Sequence, residues 1–217
     1  LELALAPFMA DPRCLGAVLV LPAALLSEPL SGCSAGPLSA GPLNDARVAR
    51  VAGGARRCDS VLCGLEALRT RAGASDWVLV HDAARPCLTA SDLNRLLTAG
   101  REQTVGALLA APVTDTIKQA TTPMACVSTV DRATLWRALT PQMFRYAPLC
   151  AALRSAVAGN RAPTDEAEAF EWQGAYALLV PALENNIKIT TAEDLTIAAA
   201  VLDARTERAE RAEREES

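Results

Sequence analysis

A chain of 217 residues, 51% hydrophobic and 21% charged, is long enough for one substantial core and has a globular balance of side chains. Its formal net charge of -4 argues against duplex nucleic acid as a partner and leaves room only for a local basic pocket. Seven scattered cysteines with no CxxC spacing, and a single histidine, argue against a disulfide framework and a His-rich metal cluster. No apolar run reaches membrane-spanning length, and the opening LELALAPFMADP has no basic region typical of a signal peptide.

In chain order, LGAVLVLPA (15–23) reads as a buried strand. Residues 27–46, SEPLSGCSAGPLSAGPLNDA, read as a loop whose glycines match neither a GxGxxG nor a GxxxxGK[ST] spacing. RRCDSVLCGLEALRTR has helical spacing, with Asp59 or Ser60 as candidate caps of its first turn. WVLVHD reads as the next strand, LTASDLNRLLTAG as a capped helix ending before Gly100, and VGALLAAPV as a further strand. Residues 118–134, KQATTPMACVSTVDRAT, break this rhythm and read as a projecting β-arm. ALTPQMFRYAPLCAAL then turns into a helix, and GAYALLVPA gives one more strand. TTAEDLTIAAAVLDART reads as a helix with Glu193 and Asp194 at its acid-favouring start, and the alternating charges of ERAERAEREES as its solvated end. Strands apolar throughout, separated by helices, predict an α/β fold with a largely parallel sheet covered on both faces. The expected organisation is one domain over 1–202, with the arm at 118–134, followed by a charged tail at 203–217.

Open parallel sheets hold ligands beyond the carboxyl ends of their strands, which is where His81, Asp82 and Arg85 fall after WVLV. An Asp there can ligate a divalent metal through oxygen, and an Arg can clamp a phosphate. The same residues are equally an Asp–Arg pair closing a turn before Pro86. Thr114, Asp115, Thr116 and Lys118 follow another strand. Arg132, Thr140, Thr164, Asp165, Glu166 and Lys188 also sit at element ends. Several cations at such positions, in a chain that is acidic overall, point to a phosphorylated substrate.

DSVLCGL, WVLVHDAARPC, APVTDTIK, TVDRATLW, ALTPQMFR, TDEAEAFE and NNIKITTAEDL occur in an order that closely resembles the 2-C-methyl-D-erythritol 4-phosphate cytidylyltransferase family, over roughly residues 52–202. The resemblance implies a Rossmann-like α/β nucleotidyltransferase of the non-mevalonate isoprenoid pathway. In that reaction the substrate phosphate attacks the α-phosphorus of CTP, assisted by Mg2+, and pyrophosphate leaves. By motif, Asp82 matches the metal-binding carboxylate, and Arg85 sits beside the substrate diol and phosphate. Lys188 and Arg132 match sugar-phosphate ligands, and Thr116 and Thr140 match hydroxyl contacts on the arm side. Gly54 and Ser60 match the cytosine pocket. Asp82, Arg85 and Lys188 are the implied catalytic set, with His81 a neighbour of the metal carboxylate and not a base. The resemblance also implies a cytoplasmic homodimer whose arm carries Arg132, Thr116 and Thr140 to the partner's substrate. It implies no nucleic-acid or membrane partner. Phosphoryl transfer relies on positioning and charge neutralisation, so the lack of a Ser–His arrangement is consistent with it.

Two departures stand out. The family's strand leading into PAAGxGxRM and PKQ, which wraps the triphosphate, has no counterpart here, and LELALAPFMADP matches the family's next segment instead. Ala55, in GGARR, stands where the family often has Asp. Three accounts compete: a chain that starts late in its reading frame, a homologue that keeps fold and dimer without turnover, and a cytidylyltransferase for another polyol phosphate such as ribitol 5-phosphate.

Overall fold

The computed structural model describes residues 1–27, 41–122 and 125–215. The loop expected at 27–46, with Cys33, therefore falls largely outside the described residues. The chain begins with helix α1 (Glu2–Met9), then strands β1 (Ala17–Leu21) and β2 (Val48–Ala52), helix α2 (Arg57–Leu68), strand β3 (Trp77–Val80) and helix α3 (Ala90–Gly100). Strand β4 (Gly106–Pro112), the pair β5 (Ile117–Thr122) and β6 (Ala125–Val130), and strand β7 (Trp136–Arg145) come next. The remainder is helix α4 (Tyr146–Ala158), helix α5 (Glu166–Glu171), strand β8 (Leu178–Pro181) and helix α6 (Ala192–Glu215).

β1 and β2 form a parallel pair. A four-stranded sheet has the order β3-β7-β4-β8, with β4 and β8 parallel and β7 antiparallel to both its neighbours. In place of the expected turn straight into a helix over 138–153, the helix starts only at Tyr146 and the preceding ten residues are this central strand. β7 is irregular where it matters. Leu108 pairs with Gln142 but Ala110 with Ala138, so Leu139, Thr140 and Pro141 together oppose Leu109. Pro141 has no N–H to give to a ladder, and a bulge is the place in a central strand that tolerates it.

Helices cover both faces of the sheet. On one, Cys58, Leu65, Leu149, Leu153 and Phe170 pack with Leu108 and Phe144, and the Phe144 and Phe170 rings stack 4.6 Å apart. On the other, Leu88 and Leu96 pack with Leu109, Met143 and Val180. Each fully buried Leu or Phe contributes about 1.5–3 kcal/mol. A third cluster joins α1 to the β1–β2 pair through Leu5, Leu19, Leu21 and Leu43.

Gly106 opens β4 at φ +150°, opposite Phe144 in the ladder. A Cβ there would strike the Met143 carbonyl oxygen and the Phe144 ring, neither of which has room to yield. Gly106→Ala is therefore expected to destabilise the protein by about 3 kcal/mol or more. Urea unfolding of the two proteins measures this, and a cost under about 1 kcal/mol would show that the strand end can relax.

Among the described residues β3 pairs only with β7 and β1 only with β2, so one edge of each is open. A cavity of about 900 Å3 lies between them, lined by both strands and α2 and reaching Arg57, His81 and Asp82. β5 and β6 form a separate antiparallel pair in which Lys118, Gln119, Ala120, Val127, Ser128 and Thr129 are exposed. α6 runs unbroken into the charged tail, where Arg211–Glu215 and Arg214–Glu210 pair at 3.0 and 3.2 Å on its surface.

Candidate active site

The site is built where β3 ends. Arg85 N–H donates to the Asp82 carbonyl at 3.0 Å, turning the chain so that both side chains face inward. The β7 bulge meets this turn from the side. The Thr140 hydroxyl accepts the Asp82 N–H at 3.0 Å and lies 3.0 Å from His81 Nδ1. His81 Nε2 is 3.1 Å from the Arg85 carbonyl oxygen. A carbonyl can only accept, so Nε2 carries the ring proton and Nδ1 accepts from Thr140. One neutral imidazole thus braces both ends of the turn against β7.

The loop after β8 supplies the opposite wall. Buried Asp92 of α3 accepts Leu183 N–H at 3.0 Å and Glu184 N–H at 3.3 Å. Arg205 of α6 donates to the Cys87 carbonyl at 2.8 Å and the Asn185 carbonyl at 3.4 Å. Ile189 N–H reaches the Ala84 carbonyl at 2.8 Å. Asn186, buried, donates to the Thr140 carbonyl at 2.7 Å, and Arg85 donates to the Asn186 carbonyl at 2.8 Å. These ties place Lys188 Nζ 3.0 Å from Asp82 Oδ2.

Asp82 is surrounded by cations. Lys188 and Arg85 Nε, the latter at 3.6 Å, face Oδ2, whereas Arg57 is 3.5 Å from Oδ1. Arg57 opens α2 and makes its close contacts elsewhere, with both oxygens of fully buried Glu166 at 2.6 and 3.0 Å. Burial alone would raise the Asp82 carboxyl, but the Lys188 hydrogen bond and the charges of Arg57, Lys188 and Arg85 outweigh it and hold it below its usual value. Burial draws Arg85 below the usual arginine value and pushes Glu166 up against the opposing pull of Arg57. Three cations against two carboxylates make a site of net positive charge, suited to an anion that brings more negative oxygen.

Burial also lowers His81 from 6.5 to about 4. Between those values the unfolded chain takes up a proton that the folded chain refuses, so stability falls as the pH drops through this window and is unaffected above it. The effect is on the order of 3 kcal/mol by pH 4. His81→Gln is expected to flatten that part of the stability profile. Denaturant unfolding between pH 4 and 7 tests it, and parallel profiles would mean His81 titrates normally.

Gly54 and Ser60 form a second unit at the start of α2. Gly54 N–H donates to Ser60 Oγ at 3.1 Å, and Ser60 Oγ lies 3.3 and 3.2 Å from the Gly54 and Arg56 carbonyls. A side chain on Gly54 would collide with the Asp59 Cβ. Asp59, one of the two expected caps, closes the first turn from its third helical position: Arg56 is the N-cap, and Asp59 accepts its N–H at 3.2 Å.

The family model for 2-C-methyl-D-erythritol 4-phosphate cytidylyltransferase matches residues 36–204. The chain belongs to this family. A cytidylyltransferase of that name from Acidithiobacillus ferrooxidans is 51% identical over 205 residues, covering 94% of this chain and 84% of the relative. The crystal structure of the Francisella tularensis 2-C-methyl-D-erythritol 4-phosphate cytidylyltransferase superposes with a TM-score of 0.78 at 29% identity, over 92% of this chain and 86% of that one. A crystal structure of 4-diphosphocytidyl-2C-methyl-D-erythritol synthase gives 0.76 at 32% identity, over 93% and 89%.

Of the residues that the cytidylyltransferase motifs singled out, Asp82, Arg85, Lys188 and Thr140 converge. Thr140 differs from its expected place on the arm side: it is 4% exposed, in the central strand, and committed to Asp82 and His81 of its own chain. Thr116 and Arg132 are exposed at the base of the β5–β6 pair, with Arg132 donating to the Thr114 carbonyl. Among the described residues no hydrogen bond or ion pair joins either to the Asp82 cluster. Sequence reasoning missed Arg57, Gln142 and Asn186. For Arg57 there was a signal, because a cation in the first turn of a helix opposes the dipole and calls for an anion nearby.

Proposed function

We propose that this chain transfers the cytidylyl group of CTP to 2-C-methyl-D-erythritol 4-phosphate, giving 4-diphosphocytidyl-2-C-methyl-D-erythritol and pyrophosphate. The observation that carries the reading is Asp82 held among Lys188, Arg85 and Arg57 at the carboxyl end of a sheet strand, in a member of this family. One oxygen of the substrate phosphate forms the new bond to the α-phosphorus, and the bond from that phosphorus to the bridging oxygen of the leaving pyrophosphate breaks. No covalent enzyme intermediate is needed, so the chain's task is to align two anions and offset their repulsion. Lys188 and Arg85 hold the sugar phosphate, and Gly54 and Ser60 border the cytosine. We place the triphosphate at the mouth of the cavity between β1 and β3, beside Arg57 and Asp82.

Magnesium is part of this proposal. Among the described residues no group of three or more His, Cys, Asp or Glu side chains could hold a metal alone. A single carboxylate fits Mg2+ nonetheless, because this ion commonly takes one or two carboxylates and completes its shell with water and substrate phosphates. Asp82 would be that ligand, and the ion would neutralise charge on the transferring phosphoryl oxygens.

We further propose a homodimer, with 1–202 acting as one catalytic domain and the 118–134 arm presenting Arg132 and Thr116 to the partner's substrate. The exposed residues of the β5–β6 pair and its freedom from the Asp82 cluster support this. We place the enzyme in the cytoplasm. No helix among the described residues is long and apolar enough to cross a membrane.

The test is pyrophosphate release by the 217-residue chain from CTP and methylerythritol phosphate with Mg2+, with ribitol 5-phosphate in parallel. Release with the first substrate alone is expected. Preference for ribitol 5-phosphate would reassign the substrate, and binding without release would overturn turnover by this chain.

A further inference from the structure

The two oxygens of Asp82 are treated differently. Oδ2 is gripped by Lys188 at 3.0 Å and faced by Arg85 at 3.6 Å, whereas among the described residues Oδ1 has only Arg57, at the outer limit of hydrogen bonding, 3.5 Å. The same Arg57 nitrogen is 3.0 Å from Glu166 Oε2, and its neighbour is 2.6 Å from Oε1. Arg57 could form a short pair with either carboxylate, and it is drawn onto Glu166.

Glu166 is held rigidly enough to do this. It opens α5, whose first turn is fixed to the central strand by one side chain. Gln142 of β7, 1% exposed, donates to Asp165 at 2.8 Å and accepts the Ala167 N–H at 3.0 Å. Asp165 in turn caps the helix by accepting Glu168 N–H at 2.9 Å. Glu166 itself is 0% exposed, so water cannot compete for it, and Arg57 is its ionic partner. A charge-assisted fork in such surroundings holds an arginine far more firmly than one long contact to a partly wet carboxylate.

We infer that Glu166 is a positioning residue whose task is to withhold Arg57 from Asp82, leaving Oδ1 as the oxygen offered to a divalent cation. Without Glu166, Arg57 would close on Asp82 as a tight pair and occupy the metal's place. With it, Arg57 stands beside the carboxylate as a fixed cation, while Lys188, 44% exposed, remains free to turn to a phosphate. The inference rests on the reading of Asp82 as the metal carboxylate.

The experiment titrates Mn2+ into the full chain with CTP held at a concentration that saturates every variant, so that a lost Arg57–triphosphate contact does not enter, and follows water-proton relaxation, which reports ion held on the protein. Asp82→Asn is the control: unchanged binding there would refute Asp82 as a metal ligand. Given its loss in the control, Glu166→Gln, nearly equal in shape, is expected to weaken Mn2+ binding about tenfold, as one competing ion pair would. Arg57→Gln alone and the Arg57→Gln/Glu166→Gln pair are expected to bind Mn2+ at least as tightly as the unaltered chain, because the competing cation is gone. A loss in Glu166→Gln that the second substitution reverses is not produced by a general loss of structure, which thermal melts monitor. Unchanged Mn2+ binding in Glu166→Gln overturns the inference. So does weakened binding in Arg57→Gln, which remains decisive even where Glu166→Gln fails to fold.

Discussion

Asp82→Asn should abolish magnesium-supported turnover, by about 10^3-fold or more, while leaving the fold and the phosphate-binding wall in place. The size follows from the proposed role of the group removed, a charge aimed at the centre of a phosphoryl transfer, where the loss of even one oriented neutral donor costs roughly 10^2 to 10^3 in other enzymes. Asn keeps the shape, and Thr140 still accepts the residue 82 N–H, so the turn survives. What changes is the electrostatic balance. Lys188, Arg57 and Arg85 all face this one carboxylate. Without it Arg57 keeps Glu166, but Lys188 loses its ion-pair partner and is free for an incoming anion. The variant should therefore bind the sugar phosphate as tightly as the unaltered chain, or more so, in the absence of metal. Initial rates against Mg2+ concentration, with substrate binding measured by calorimetry, separate the two effects. A near-normal magnesium dependence would remove Asp82 from the metal's coordination.

Much of the scaffold was legible because its signals are local. Apolar runs of strand length, helical spacing in α2 and α3, and acids at the start of α6 each depend on residues close in sequence. Asp82 and Arg85 were legible for a related reason, since the end of a buried strand is where an open sheet exposes ligands. β7 was not. Pro141 argues against a central strand, and only the bulge at Leu139–Pro141 reconciles the two. That same bulge aims Thr140 at Asp82, so misreading the strand and misplacing Thr140 beside the arm are one error. The pair Arg57–Glu166 spans 109 residues and joins two helix starts. Periodicity carries no information about such a meeting. The arginine pair ahead of CDSVL did carry some, as a charge in electrostatic disfavour at a helix start.

Lys188→Met isolates the cation that can move. Its loop is fixed without it, through Asp92 to Leu183 and Glu184, Arg205 to Asn185, and Ile189 to Ala84. Methionine keeps most of the side chain's length and removes only its charge. The Lys188–Asp82 pair involves a lysine 44% exposed, so its loss should shift stability by under about 1 kcal/mol. Binding should suffer more. A hydrogen bond between charged groups is worth about 1.5–3 kcal/mol, which corresponds to a rise of roughly 10- to 150-fold in KM for the sugar phosphate. kcat/KM should fall at least as far, because a uniform loss of binding passes through to it, and further if Lys188 also meets charge developing on the phosphate. Steady-state rates with methylerythritol phosphate varied at saturating CTP, set beside thermal melts, decide the point. An unchanged KM with an unchanged kcat/KM would leave Lys188 as a surface partner of Asp82 alone. A collapse of kcat at constant KM would instead place its charge on the transferring group.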